Sequence, residues 1–186
     1  RNDILYPSFG RLQSALFEVG LPFGDLAYYK LQYINQSFWP GYGDFVLMLR
    51  ADLGYGDGYN NKPLPFFKAF YAGGVGSVRG FETSSRGPRD IYGNVLGGKR
   101  KIVGNAELFY PLLSGQQAVR VSAFADAGQI YLNGLQPDNE SFRYSAGVGL
   151  AWNSPMGPLK FSYAYPINEK SGDRIQRFQF QVGSVF

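Results

Sequence analysis

The stretch Phe178, Gln179, Phe180, Gln181, Val182, Gly183, Ser184, Val185, Phe186 alternates apolar and polar residues and ends on an aromatic carboxy-terminus. A period of two is that of a β-strand with one face against an apolar medium, and the terminal Phe suggests a strand that closes a sheet. In a bilayer an open sheet edge leaves backbone groups unpaired, at a cost of several kcal/mol for each, so a spanning strand belongs to a closed barrel. The chain therefore reads as all-β: an antiparallel transmembrane β-barrel of the outer-membrane kind.

Composition agrees with that reading. The 186 residues suit one domain, and 17% are aromatic, with 14 Tyr and 16 Phe against 2 Trp, a supply fitted to interfacial girdles. Mean hydropathy is only -0.20, as expected where alternate residues face lipid and the others a polar lumen. A helical membrane protein needs a run of about 18 apolar residues, and the sequence has none. With neither Cys nor His, thiol chemistry, disulfides, Ser-His-Asp hydrolysis and the commonest metal ligands are excluded. The chain is expected to be no enzyme and to use no cofactor or metal. It begins at Arg1 with no export signal, which suggests a processed or excised piece.

Working back from the terminus, eight strand candidates are bounded by Gly, Pro, Asn or Asp: 11–19, 26–35, 45–55, 102–110, 119–130, 142–152, 159–165 and 175–186. In the sixth, Phe142, Tyr144, Ala146, Val148, Leu150 and Trp152 should face lipid, with Arg143, Ser145, Gly147, Gly149 and Ala151 inward. In the seventh, Leu159, Phe161, Tyr163 and Tyr165 should face out, with Lys160, Ser162 and Ala164 inward. This register keeps charge off the lipid face. The short connections 21–25, 112–117 and 154–158 fit the periplasmic side, and 133–141 and 168–174 the outside.

One connection is different. Residues 56–101 run without a convincing strand and carry eight Lys or Arg against three Asp or Glu, a net of +5 in a chain of +4. A solvated surface loop touching lipopolysaccharide phosphates is one reading. Against it, Phe66, Phe67, Phe70, Tyr71, Phe81 and Tyr92 would be costly to leave wet. As a nucleotide site the loop fails, because Gly74, Gly76 and Gly80 are spaced G-x-G-x-x-x-G with no GK[ST] following. No nucleic-acid partner is expected.

Within this loop stands PFFKAFYAGGVGSVRGF, ending in Val78, Arg79, Gly80 and Phe81. It resembles the signature loop of the outer-membrane insertase superfamily, a VRGF core preceded by a GG pair, and its upstream residues resemble the barrel-assembly branch, the BamA family. The likeness continues through GNAELFYP, FADAG, GPLKFSYAYP and the FQFQVGSVF end, over essentially all of residues 1–186.

The resemblance implies a sixteen-stranded barrel, of which this chain would be the C-terminal half, in a bacterial outer membrane. Its loop would fold back into the lumen, with Arg79 meeting acids of the inner wall. Alternation offers Glu107 on one strand and Phe124, Asp126 and Gly128 on the next; Glu107 and Asp126 either clamp Arg79 or face lumenal water, Arg120 and Arg143. The terminal residues Phe178, Phe180, Val182, Gly183 and Phe186 match both a lateral seam that admits client strands, kinked at Gly183, and an ordinary barrel-closing signal. The implied function is assembly and insertion of β-barrel proteins. Its partners would be outer-membrane lipids, unfolded outer-membrane protein clients and, through periplasmic modules of the full-length protein, accessory assembly lipoproteins. A polypeptide translocator of the same superfamily is the alternative, or a small non-catalytic barrel for the isolated piece. For that piece, the even strand count predicts either closure of 11–19 against 175–186 or edge-to-edge assembly of two copies, with a lumen narrow enough to expel the loop.

Overall fold

A computed structural model describes residues 1–3, 7–21, 26–113, 116–132, 141–155 and 157–183. Eight long or medium strands follow one another as an antiparallel meander: β1 (Gly10–Gly20), β2 (Tyr28–Pro40), β3 (Val46–Gly58), β5 (Arg100–Leu113), β6 (Gln116–Tyr131), β7 (Arg143–Ser154), β8 (Gly157–Pro166) and β10 (Phe178–Val182). Two short strands, β4 (Gly80–Phe81) and β9 (Ile175–Gln176), pair with each other. No α-helix occurs among the described residues, and the long loop contains one 3₁₀ turn, Phe66–Lys68.

All eight expected strands exist, most of them longer than the alternation alone suggested. The eighth is the exception. Residues 175–186 do not form one strand: Ile175–Gln176 leaves the main sheet for Gly80–Phe81, and only Phe178–Val182 pairs with β8. Facing follows the period-two reading. On β7, Arg143, Ser145 and Ala151 are buried while Tyr144, Val148 and Trp152 are exposed, and on β8 Lys160, Ser162 and Ala164 are buried beneath exposed Tyr163 and Tyr165.

The sheet is open. Its order runs from β1 to β10, and the two edge strands do not pair among the described residues, so the closed eight-stranded barrel is not what forms. The concave face is occupied. An eight-stranded barrel has a lumen just wide enough for its own side chains, whereas here Val78, Arg79 and Phe81 of the long loop occupy that face and are at most 2% exposed. The loop is retained and the edges stay apart, the reverse of the expected expulsion.

Antiparallel alternation also corrects one connection. Gly20 pairs with Tyr28 and Tyr28 with Gly58, so β1 and β2 are joined at the same end as the long loop, although most of the expected 21–25 connection lies outside the described residues. Short links join β2 to β3, β5 to β6 and β7 to β8 at the other end, the periplasmic one by the usual barrel asymmetry. Two hydrogen bonds tie the loop end together: the Tyr59 N–H donates to Ala27 O at 3.0 Å and its hydroxyl to Gly20 O at 2.5 Å.

Candidate functional site: the loop clamp

Between β3 and β5 the chain has to turn inward, and glycine makes that possible at Gly80. Its φ is +89°, a region L side chains avoid, and an added Cβ would stand 3.2 Å from Ala164 Cβ and 3.3 Å from Pro166 Cγ on β8. Phe81, beyond it, is fully buried, and its carbonyl accepts a bond from Gln179 Nε2 of β10 at 2.7 Å. Val78, before it, packs with Phe70, Ala72, Phe81, Val103 and Ile130. Gly128 is the seat for Val78: an added Cβ there would lie 2.6 Å from Val78 Cγ2.

Arg79 sits at the centre, 2% exposed. Its Nε and Nη2 fork onto Asp126 at 2.7 and 2.8 Å, its backbone N–H donates to the same carboxylate at 3.0 Å, and Nη1 reaches Glu107 Oε2 at 2.9 Å. The guanidinium carbon lies 3.4 Å from the centroid of the Phe124 ring, a cation–π contact strengthened by desolvation. Of the two readings left open by alternation, the clamp is the one that forms. Arg143 is engaged elsewhere, with Asp173, and Arg120 donates to Pro7 O.

Lys160, Asn105 and Ser122 complete the site. Lys160 Nζ on β8 donates to Glu107 Oε2 at 3.2 Å, Ser122 Oγ donates to Glu107 Oε1 at 2.7 Å, and Asn105 Nδ2 bridges Asp126 Oδ1 and Ser77 O at 2.8 and 2.6 Å. Two cations therefore face two carboxylates, and the buried group is neutral overall. Buried ions need such pairing because desolvation alone costs several kcal/mol per ion. These three residues were not singled out from sequence. The signal is present in the alternation, since Asn105 shares a face with Glu107, Ser122 with Phe124 and Asp126, and Lys160 with Ser162 and Ala164.

A second anchor lies toward the extracellular end. Asp173, in the β8–β9 connection, accepts from Arg86 of the long loop and from Arg143 Nε of β7 at 2.7 Å. Burial pushes its carboxyl up, but the Arg143 hydrogen bond, the Lys170 backbone N–H and the charges of Arg86 and Arg143 outweigh this and hold it below the ordinary value. A third anchor joins the 3₁₀ turn to the wall: Lys68 pairs with Glu18, Lys30 Nζ donates to Lys68 O at 3.0 Å, and Lys30 covers the Phe70 ring at 4.3 Å. The loop aromatics divide. Phe70 and Phe81 are buried, but Phe66, Phe67 and Tyr92 are exposed, against the expectation that all would be covered; the concave face accepts only side chains on the inward run of the loop.

At the C-terminal edge, Phe178, Phe180 and Val182 point outward and are exposed, while Gln179 is buried. Gly183 leaves the strand at φ +102°, and its N–H donates to Pro158 O at 2.9 Å. Phe186 lies outside the described residues. Among the described residues no group of His, Cys, Asp and Glu could hold a metal ion.

Known proteins are similar to this chain in sequence and in fold. The Omp85 superfamily domain matches residues 1–186. The "Outer membrane protein assembly factor BamA" of Neisseria meningitidis is 40% identical, over all of this chain and 27% of its own length. The Xenopus laevis "Sorting and assembly machinery component 50 homolog B" is 32% identical, over all of this chain and 43% of its own length. In three dimensions the chain is similar to the crystal structure of BamA from Haemophilus ducreyi lacking POTRA domains 1-3, with a TM-score of 0.90 and 32% identity over 98% of this chain and 40% of that one. The chain thus spans less than half the length of these relatives. On a match over its whole length, the chain belongs to the Omp85 superfamily.

Proposed function

We propose that the protein containing this chain assembles β-barrel proteins into the bacterial outer membrane, and that this chain supplies half of its barrel wall. The outer membrane is where the chain resides, in line with its likeness to bacterial BamA over its full length. Its clients are unfolded outer-membrane proteins, its solvent is outer-membrane lipid, and accessory lipoproteins join through periplasmic modules of the longer protein. No bond chemistry and no cofactor are involved.

The observation that carries the reading is the weakness of the last strand. Among the described residues β10 pairs with β8 at five positions, from Phe178↔Tyr163 to Val182↔Leu159, while β7 and β8 pair from Ser145↔Pro166 to Ser154↔Gly157. A short strand at the end of the sheet, as β10 is among the described residues, is a template for β-augmentation, in which an incoming strand exchanges one set of backbone hydrogen bonds for another. Behind that edge the loop and the wall are tied together by Gln179 donating to Phe81 O and Lys160 to Glu107.

The test is a folding assay with the full-length protein in liposomes. An unfolded outer-membrane barrel should fold faster than in empty vesicles, read as heat-modifiable migration. A cysteine at Phe180 should crosslink to the client's terminal strand during the reaction. A correctly folded protein that gives neither acceleration nor crosslink overturns the proposal.

A further inference from the structure

The outward face of β2, β3 and β5 carries two cross-strand rows. Leu31, Tyr55 and Arg100 form the one nearer the long loop, and Tyr33, Leu53 and Ile102 the next toward mid-membrane. Together they line a shallow groove of about 370 Å³ that is almost wholly apolar. The Arg100 guanidinium carbon stands 5.2 Å from the centroid of the Tyr55 ring. Tyr29 flanks them, its ring 5.9 Å from that of Tyr55.

The charges around this groove are not equivalent. Lys101 turns inward to Asp52 at 2.7 Å, and Lys99 is neutralised by Asp57 at 2.6 Å. Arg100 has no ion-pair partner among the described residues. An unneutralised cation on the lipid face of a barrel is unfavourable unless it meets an anion at headgroup depth. The long-loop end is the extracellular one, so the lipid at this depth belongs to the outer leaflet.

We propose that this surface is a lipid site, in which the groove takes an acyl chain and Arg100 forks onto a phosphate of the phosphorylated, multiply acylated glycolipid of the outer leaflet. A guanidinium matches phosphate geometry with two parallel N–H bonds. Tyr29 and Tyr55 supply the amphipathic rim on which such a headgroup rests.

The experiment is native mass spectrometry of the full-length protein titrated in micelles with bisphosphorylated lipid A, dephosphorylated lipid A and phosphatidylglycerol. Bisphosphorylated lipid A should bind about tenfold more tightly than its dephosphorylated form, the scale of a charge-assisted hydrogen bond. Arg100→Gln should erase that difference, and Leu53→Trp, which fills the groove, should weaken both forms of lipid A. Equal binding by wild type and Arg100→Gln, or phosphatidylglycerol binding as tightly as lipid A, overturns the proposal. If Arg100→Gln does not fold, Leu53→Trp decides: wild-type affinity in that folded variant overturns it. Client folding is read separately, so the two proposals fail independently.

Discussion

Arg79 and Asp126 meet in a fork that lies over the ring of the residue two positions back from the acid. Phe124 and Asp126 share one face of β6, so one strand presents both the carboxylate that takes Nε and Nη2 and the ring on which the guanidinium lies at 3.4 Å. A Lys at position 79 could not make the fork, since its charge is a point, nor lie flat on the ring, since an ammonium is not planar.

Replacing Arg79 by Ala leaves Glu107 and Asp126 buried with one cation for two acids. Loss of one partner of a buried pair costs about 3 to 5 kcal/mol. Both Arg79→Ala and Arg79→Lys should lower the thermal midpoint of heat-modifiable migration and expose the loop to protease. A loop equally protected in Arg79→Ala and wild type would show that the clamp does not hold it.

Glu107 and Lys160 should behave as one unit. Either Glu107→Gln or Lys160→Met alone leaves the buried group with an unbalanced charge, and the double variant restores neutrality. A double-mutant cycle on stability should give a coupling of about 1 to 3 kcal/mol, as for residues in one ion-pair network. Strict additivity would mean that their 3.2 Å contact carries no energy.

Gly128→Ala introduces a methyl group 2.6 Å from Val78 Cγ2 and 3.0 Å from Val103 Cγ2. Overpacking of this kind typically costs about 1 to 3 kcal/mol. Val78→Ala should recover part of the loss when combined with it, measured by the same thermal midpoint. No recovery would place the clash on the Val103 side.

Asp173 makes the second anchor acid-sensitive. Its folded carboxyl titrates below the ordinary value of 3.8, so the unfolded state takes up protons first as pH falls. The stabilisation is therefore complete above about pH 4 and disappears as pH drops through the lower folded value. Proteolysis of the long loop by an acid-active protease should rise on acidification below that point. Asp173→Asn should show the raised susceptibility already at neutral pH, with a flatter pH profile.

Much of this protein was legible in order along the chain. Period-two alternation is local, because each strand residue's face is set by its immediate neighbours, so the inward placement of Glu107, Asp126 and Lys160 and the outward placement of Phe178, Phe180 and Val182 followed from sequence. The resemblance around Val78 to Phe81 then supplied the partner for the acids. What tertiary structure alone decided is non-local. That Arg86 meets Asp173, 87 residues away, depends on the path of the loop across the concave face, which no periodicity encodes. That Ile175–Gln176 deserts the sheet for Gly80–Phe81 depends on where the same loop stops. And that the long loop stays on the concave face, when the strand number alone would allow closure over an empty lumen, is decided by the buried contacts of Val78, Arg79 and Phe81.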